Sequence, residues 1–523
     1  MKKRNMQIKN ILFYILIILT GICPMGFAEN YSINTILNNP LLEEAISGQS
    51  QSSDPDILDD NHKQVEAKNI NIDTKMMYGE YNNIFSSFSL VQNQKNLIYQ
   101  LNSEFKRSND FGYKNSSFHK SEIGFTGKLN ITDLWEFMPY FEVNDQSHGM
   151  FNKSLYSREE KGKLIVNFKN EYRPTPTRWF FNIGGAQYAH RLVSNESIID
   201  PVNSDFNKIN VEIARDYIWS ATNKLGLKIE ADRYFYSEDG TPDDTNLKNK
   251  ITFGFSVTEF LKIGLNPTIS WNKDYEANQG WFPGGEISLS SIGRKNATFE
   301  INYNYNLDHF KPEDFNFEKK YVNPTYVLPP SESHHLNLKA EVDLKFKGES
   351  FFSVKSIKIK GSGNIEDKKK FYNYYVKDEL ENVLRAETLP VVRYNGKADL
   401  FLDLRLFSQD KFKCGLNYEY AHYVADKNIT YQPEHVLSGF LKYKESRWQL
   451  EWENKVMDEV YIDPEKKEKL DSALIGSLGL QLRTYKEFFI YAKINNLYNN
   501  NYTFRDGYPE PGRTILGGLR III

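Results

Sequence analysis

Residues 298–307 read Thr-Phe-Glu-Ile-Asn-Tyr-Asn-Tyr-Asn-Leu, and this stretch decides the fold class. Large apolar side chains (Phe299, Ile301, Tyr303, Tyr305, Leu307) alternate with polar side chains (Thr298, Glu300, Asn302, Asn304, Asn306). Successive side chains of a β-strand point to opposite faces, so this pattern is typical of a strand that separates an apolar from a polar environment. The stretch therefore predicts a two-faced strand.

The same alternation returns at residues 97–106, 336–347 and 397–406, where Phe401 is an exception on the polar face. If the strands enclose a lumen, the charged residues of the polar faces point into it. The candidate lumen-facing residues are Glu300, Lys339, Glu341, Asp343, Lys345, Lys397, Asp399, Asp403 and Arg405. Because they mix both signs of charge, we expect ion pairs across the lumen, and strong ion selectivity is not implied.

Alternation alone does not distinguish a soluble β-sandwich from a membrane barrel, but three further features favour the barrel. The strands run for about ten residues or more, the length of a tilted strand that crosses a bilayer. They are numerous and uniform. Tryptophans lie near many strand ends, as in the aromatic girdles of membrane barrels: Trp135, Trp179, Trp271, Trp281 and Trp448. We therefore predict an all-β fold, a transmembrane antiparallel outer-membrane β-barrel.

The number of candidate strands sets the size of the barrel. They lie near residues 79, 95, 118, 135, 161, 177, 207, 223, 248, 260, 283, 297, 335, 351, 396, 411, 434, 446, 472, 487 and 512. Bacterial barrels of one chain have even strand numbers, so we predict about 20 to 22 strands over residues 77–523, with 22 favoured. Short connections (444–447, 484–487) alternate with long ones (308–334, 367–393), and the long ones are expected outside the cell.

The first 28 residues have the three parts of a Sec signal peptide. A basic start (Lys2, Lys3, Arg4, Lys9) precedes an apolar run from Ile11 to Leu19 and a small-residue end at Ala28. Residues 29–76 are rich in Ser, Asn, Asp and Gln, and we predict a flexible periplasmic segment there. After the first thirty residues, no apolar run approaches the roughly 20 residues of a spanning helix.

Charge and cysteine content exclude other classes. Four of the 65 Lys and Arg lie in the signal, so 61 remain against 68 Asp and Glu, and nothing in this acidic balance suggests a nucleic-acid partner. Cys414 is the single cysteine after residue 28, which excludes an internal disulfide framework. Stability must come from a closed sheet.

The last ninety residues carry the most specific pattern. Residues 494–502 read Ile-Asn-Asn-Leu-Tyr-Asn-Asn-Asn-Tyr, and residues 507–513 read Gly-Tyr-Pro-Glu-Pro-Gly-Arg before the final strand. This order resembles the C-terminal end of TonB-dependent receptors. The residues that carry the resemblance are Asn496, Leu497, Tyr502, Gly507, Tyr508, Pro509, Pro511, Gly512 and Arg513. Proline fixes φ and glycine allows φ values that other residues disfavour, so we expect these residues to shape a loop that directs the closing strand. Arg513 could pair with lumen carboxylates.

The resemblance has two departures. The chain ends in Ile521-Ile-Ile523 where the family commonly ends in Phe. The family also places a compact plug of well over a hundred residues before the first strand, whereas only about fifty residues separate the predicted signal from the predicted barrel here. We therefore expect a barrel without that plug, whose lumen is open, is filled by inward-folded loops, or holds another chain.

No pattern of catalytic or cofactor-binding residues accompanies the strands. The histidines His119, His190, His334, His335, His422 and His435 are scattered, and no G-x-S-x-G, H-E-x-x-H, C-x-x-C or phosphate loop is present. We expect girdle, lumen or loop positions for them, no enzyme activity, no cofactor and no metal site.

Two classes of function remain open, and a barrel enzyme is a distant third. The first is a porin-like channel or transporter for solutes in the outer membrane of a Gram-negative-type bacterium. The second is a structural or assembly barrel whose lumen or loops hold a protein. The expected partners are outer-membrane lipid, the barrel-assembly machinery and, for the second class, a separate plug or periplasmic protein.

Overall fold

The computed structural model describes residues 70–94, 96–109, 116–150, 156–194, 201–220, 223–236, 244–258, 261–273, 279–291, 296–308, 330–346, 352–377, 384–406, 410–465, 468–505 and 508–523. The predicted signal peptide and residues 29–69 of the predicted periplasmic segment lie outside these ranges, as does Gly507. Within them, no helix is long and apolar enough to cross a membrane.

Twenty-two strands form one antiparallel sheet. They are β1 (Ile70–Gly79), β2 (Asn83–Gln94), β3 (Leu97–Ser108), β4 (Phe118–Asn130), β5 (Trp135–Gly149), β6 (Arg158–Tyr172), β7 (Thr177–Val193), β8 (Val202–Ile218), β9 (Lys224–Tyr236), β10 (Asp244–Thr258), β11 (Leu261–Lys273), β12 (Gln279–Ser291), β13 (Ala297–Asp308), β14 (Ser331–Lys345), β15 (Phe352–Lys377), β16 (Leu384–Leu406), β17 (Asp410–Val424), β18 (His435–Lys444), β19 (Trp448–Met457), β20 (Ala473–Tyr485), β21 (Phe488–Asn495) and β22 (Thr514–Ile522). A 3₁₀ turn at Glu80–Asn82 and two short ladders (Val460–Tyr461 with Lys469–Leu470, Thr503–Arg505 with Tyr508–Pro509) lie in the connections.

Each strand pairs with its neighbours along the chain, and β1 also pairs with β22, which closes the sheet into a barrel. The register of this seam runs from Asp73 opposite Ile522 to Gly79 opposite Leu516. The predicted all-β antiparallel barrel of 22 strands is therefore confirmed.

The first strand begins earlier than predicted. The candidate position near residue 79 falls where β1 ends and β2 is about to begin, so one position stands for two strands, and β1 starts at Ile70 instead of residue 77. Ile70, Ile72 and Met76 do alternate with polar neighbours, but a short strand beside a polar segment is a weak signal. Pairing with β22, whose partner residues lie more than 430 positions away in the chain, makes it part of the barrel.

The predicted long loop at 367–393 is also wrong, because most of it is strand. β15 and β16 have 26 and 23 residues and stay paired out to Lys377 and Leu384. Two strands that hydrogen-bond to each other form a ribbon even where both of its faces meet the same environment. Apolar and polar side chains then need not alternate along them. Near the base of this extension, Phe371, Leu389 and Val391 pack with Ile429.

Connections differ at the two rims of the barrel. Those after even-numbered strands have two to six residues, including the short turns predicted at 444–447 and 484–487. Those after odd-numbered strands reach 22 residues, at 309–330. We call the two edges the short-turn rim and the long-loop rim. The start of β1 and the end of β22 lie at the short-turn rim.

The two faces of the wall differ as the alternation predicts. Large apolar side chains are exposed on one face, which we call the apolar face; examples are Phe299, Ile301, Tyr303, Leu338 and Leu416. The opposite, polar face contains the buried polar side chains, such as Asn144, Lys161, Asn182 and Asn266. The concave side of a closed sheet crowds its side chains, so burial follows the polar face.

Candidate functional site

The polar face of the wall is the candidate functional site, and the nine candidate lumen-facing residues all lie on it. Glu300 of β13 lies opposite Lys339 of β14, with 3.7 Å between Oε2 and Nζ. Glu341 lies 2.7 Å from Nζ of Lys358 on β15, and Asp343 lies 3.8 Å from Nζ of Lys345.

The candidates on β16 belong to the same surface. Nζ of Lys397 lies 2.8 Å from Oε1 of Glu419 on β17, and Asp399 accepts a hydrogen bond from Asn417. Asp403 and Arg405 lie opposite Lys413 and Lys411 in register. These ion pairs join residues along the wall, so the expectation of pairs across the lumen is wrong for them. A lumen enclosed by 22 strands is wider than two side chains can bridge.

Phe401, the apolar exception on the polar face, covers a glycine. In register it lies opposite Gly415 of β17, which in turn lies opposite Phe440 of β18. A Cβ built on Gly415 would overlap the ring of Phe440 and lie 3.0 Å from Cδ1 of Phe401. The two rings, 6.2 Å apart, fill the space that Gly415 leaves in the wall.

A buried charged cluster lies on the polar face near the long-loop rim. Glu159 of β6 has no solvent exposure, and His148, His190 and Lys161 surround its carboxylate. Nε2 of His148 lies 2.5 Å from Oε2, Nε2 of His190 lies 2.6 Å from Oε1, and Nζ of Lys161 lies 3.0 Å from Oε1. Lys161 neutralises this buried carboxylate, and the two imidazoles orient it.

The sequence analysis named His190 but missed the other members of this cluster. Their spacing along the chain shows no motif, and only the register, with His148 opposite Glu159, brings them together. On the opposite face at this height, Arg158, Glu160 and Arg191 are polar, so the cluster lies beyond the apolar band. The described residues contain no group of three or more His, Cys, Asp or Glu placed to hold a metal ion.

The other predicted histidines lie at separate positions. His334 and His435 are on the apolar face, and Nδ1 of each lies 2.8 Å from a tyrosine hydroxyl, that of Tyr303 or Tyr418. His119 packs edge-on against Phe105 with centroids 5.2 Å apart. His335 lies 3.5 Å from both Asp308 and Glu366, and Nδ1 of His422 lies 2.9 Å from Glu434.

The closing motif forms the connection between β21 and β22 at the long-loop rim. Asn496 is 2% exposed and has φ of 46°; its Nδ2 donates to the carbonyl oxygens of Asn500 and Pro511, at 2.8 and 3.1 Å. Leu497 N donates to Gly476 O at 2.8 Å, and buried Tyr502 packs with Met457 and Ala473.

The second half of the motif is tied to the first. Arg513 N donates to Oδ1 of Asn499 at 2.8 Å, an oxygen that also lies 3.1 Å from a Cβ built on Gly512. The backbones of Tyr508 and Pro509 pair with residues 503–505. Arg513 has an exposed side chain with no carboxylate partner in the ranges that the structure covers. These contacts place Thr514, where β22 begins.

Comparisons with known proteins rest on the fold. Neither the protein-family models nor the curated proteins give a match. Among solved structures, the chain is similar to the copper transporter OprC, with a TM-score of 0.63 and 13% identity over 87% of this chain and 80% of that one. It is also similar to the FrpB iron transporter from Neisseria meningitidis (F5-1 variant; TM-score 0.65, 9% identity, 88% and 83% covered).

A third similar structure is the siderophore receptor PirA from Acinetobacter baumannii, with a TM-score of 0.62 and 9% identity over 88% of this chain and 81% of that one. Identities this low establish the fold and leave substrates open. The closed antiparallel sheet has the strand number that the closing motif leads one to expect. The chain thus has the 22-stranded barrel fold of TonB-dependent receptors, the family that its C-terminal motif resembles.

Proposed function

We propose that this protein is exported, inserts in the outer membrane and lets solutes pass through its barrel as a porin-like channel or transporter. The observation that carries the proposal is the closed sheet with one apolar and one polar face. The apolar face suits lipid, and the polar face suits a water-filled passage. The long-loop rim then faces the cell exterior, and the short-turn rim faces the periplasm.

The charges of the polar face support a passage without a dedicated plug. Many of its Lys and Arg side chains pair with a carboxylate of the same or a nearby strand, as Lys163 does with Glu142 at 2.6 Å and Lys228 with Glu212 at 2.6 Å. Where the wall neutralises itself in this way, it needs no second domain to compensate its charges.

The exposure of charged side chains on the polar face also differs from one side of the barrel to the other. On β3 to β7, Lys106, Lys120, Lys161 and His190 are at most 8% exposed. On β14 and β16, the side chains of Lys339 and Lys397 are 62% and 46% exposed. We infer that solutes pass along the open side and that the passage is narrowed on the other.

Conductance tests this function. Purified, folded protein reconstituted in planar bilayers is expected to give stable stepwise increases in conductance. Removal of residues 29–69 is expected to leave the conductance of each step equal or larger. The folded state of both forms is checked by resistance of the barrel to SDS at room temperature. Protein that is folded yet never conducts in either form would contradict the proposal.

A second candidate function is a structural or assembly barrel that holds a protein, either a separate plug or a periplasmic partner. The exposed lysines on the polar face of β14 and β16 favour it, since carboxylates of a bound protein could pair with them. A photo-crosslinking residue at Lys339, on the open side, tests it in cells. A stoichiometric crosslinked protein identified by mass spectrometry would favour this candidate, and its absence would favour the free passage.

A further inference from the structure

We propose that the polar face of β14 to β18 is a binding surface for multivalent anionic solutes, molecules that carry several carboxylate or phosphate groups. We call this surface the basic sector. The proposal rests on the proposed function, because it takes the polar face as the lining of the passage.

The first argument is an excess of positive charge. On the polar face of these five strands, within residues 331–368 and 391–444, the structure describes eleven Lys and Arg side chains against six carboxylates. The cations are Lys339, Lys345, Lys358, Lys360, Lys368, Arg393, Lys397, Arg405, Lys413, Lys442 and Lys444. The carboxylates are those of Glu341, Asp343, Glu366, Asp399, Asp403 and Glu419.

Five strands elsewhere in the wall show that this excess is local. On β5 to β9, the polar face has seven Lys and Arg against eight Asp and Glu among the described side chains. The cations there are Lys161, Lys163, Lys169, Arg178, Lys208, Lys224 and Lys228. The sequence alone shows mixed charge and implies no strong ion selectivity, because only the register shows which side chains adjoin and how their charges add.

The second argument is the geometry of the ion pairs. In the basic sector several pairs are long: 3.7 Å for Lys339 with Glu300, 3.8 Å for Lys345 with Asp343, and 3.9 Å for Lys360 with Glu341. Lys413 has no ion-pair partner in the described part of the chain. By contrast, Lys161 and Lys163 on β6 lie 3.0 and 2.6 Å from their carboxylates.

Exposure separates the basic sector most clearly from β6; Arg178 of β7 and Lys224 of β9 are 47% and 40% exposed, but each lies within 3.5 Å of a carboxylate. The side chains of Lys345 and Lys360 are 79% and 42% exposed, whereas those of Lys161 and Lys163 are 2% and 19% exposed. A loosely paired, hydrated ammonium group can exchange its carboxylate for a solute anion at little cost, whereas a tightly paired buried one cannot. The free capacity for anions therefore lies on β14 to β18.

The spacing of the lysines favours solutes with several charges. Lys358 and Lys360 lie two residues apart on β15, and Lys413 lies two strands away from them, so the Cα atoms of these three lysines are about 7 to 16 Å apart at the usual strand spacing. A single anion gains little from one exposed lysine in water. A tricarboxylate or pyrophosphate can contact two or three at once and still leave, as passage requires.

Ion selectivity provides the first test. The variant K339Q/K358Q/K360Q/K413Q removes four charges from the basic sector, and the matched control K163Q/K208Q/K224Q/K228Q removes four from β6 to β9. In a KCl gradient across a planar bilayer, the native protein and the control are expected to prefer chloride over potassium by about threefold or more. The basic-sector variant is expected to lose that preference.

Binding to detergent-purified protein provides a test that needs no open pore. At low ionic strength, citrate and pyrophosphate are the probes for isothermal titration calorimetry. The basic-sector variant is expected to bind them about tenfold more weakly than the native protein, while the control changes less than about twofold. SDS resistance shows that each variant is folded.

The two tests separate the proposals. A protein that conducts without anion preference and binds neither probe would overturn the basic sector and leave the proposed function standing. A folded protein that does not conduct but binds citrate through the four lysines would support the basic sector and overturn the passage. Equal weakening by both variants would also overturn the basic sector.

Discussion

Arg520 of β22 and Asp73 of β1 form a two-point ion pair across the seam of the barrel. Nη2 of Arg520 lies 2.6 Å from Oδ2 of Asp73, and Nε lies 3.0 Å from Oδ1. Nη1 of the same guanidinium donates to Oε1 of Gln481 on β20 at 3.0 Å. One side chain thus links three strands where the sheet closes, and the fork of the guanidinium helps to define the register.

The variant Asp73→Asn is expected to weaken the seam, because it removes the charge of the carboxylate and leaves the Arg520 guanidinium without its anion. We expect the free energy of unfolding to fall by about 1–3 kcal/mol, measured by urea titration in lipid or detergent. Asp343→Asn is the control, since its 3.8 Å pair with exposed Lys345 contributes at most about 1 kcal/mol. An equal loss in both variants would contradict a special role for the seam pair.

Gly518 is required for closure of the seam. A Cβ at this position would overlap the carbonyl oxygen of Met76 and lie 2.7 Å from Cα of Met77 on β1, whereas a Cβ at neighbouring Gly517 meets nothing within 4 Å. We expect Gly518→Ala to reduce the yield of SDS-resistant folded barrel severalfold, because backbone cannot move aside as a side chain can. Gly517→Ala is expected to fold like the native protein, and a normal yield of Gly518→Ala would refute the requirement.

Glu159→Gln is expected to loosen the strand ends at the long-loop rim. Without the carboxylate, Lys161 loses the oxygen 3.0 Å from its ammonium group and both imidazoles lose an acceptor, and breaking a buried ion pair in this way costs about 3–5 kcal/mol. Hydrogen exchange should accelerate at the long-loop ends of β5, β6 and β7. Glu160→Gln, on the opposite face and 4.0 Å from Arg158, serves as the control, and unchanged exchange in Glu159→Gln would contradict the expected anchoring.

Gly415→Ala is expected to cost about 1–3 kcal/mol, because its methyl group meets the rings of Phe401 and Phe440 and overpacks the wall. The double variant G415A/F440L should recover most of this loss, since leucine leaves room for the methyl group. Gly361→Ala is the control, because a Cβ there meets nothing within 4 Å. The stabilities of the native protein and the three variants are compared by thermal unfolding. No recovery of stability in the double variant would show that the clash is elsewhere.

Much of the wall could be predicted from the sequence because strand alternation is a local signal. Phe299 to Leu307 and Leu336 to Leu344 form the strands and faces that their periodicity indicates. The alternation of apolar and polar side chains is absent where both faces of a strand meet the same environment. Beyond the wall, residues 369–377 and 384–391 continue as paired strands without alternation, and β1 depends on a distant partner.

The candidate site, too, could be predicted only in part from the sequence. The charges of Glu300, Lys339 and Lys397 could be assigned to one face from period two alone. Their partners could not be assigned, because a strand's neighbours and register are not local properties. The cluster of His148, Glu159 and His190, and the excess of lysine on β14 to β18, appear only when the strands are aligned.

By itself, the sequence determined the fold class, the approximate strand number and the face on which the nine candidate lumen-facing side chains lie. These depend on side-chain periodicity and on the closing motif, which residues within about ten positions of one another define. The tertiary structure alone decided which strands adjoin and at what register. It therefore decided the seam between Asp73 and Arg520, the burial of Glu159 and the basic sector, because charge pairing depends on distance in space, which chain order does not specify.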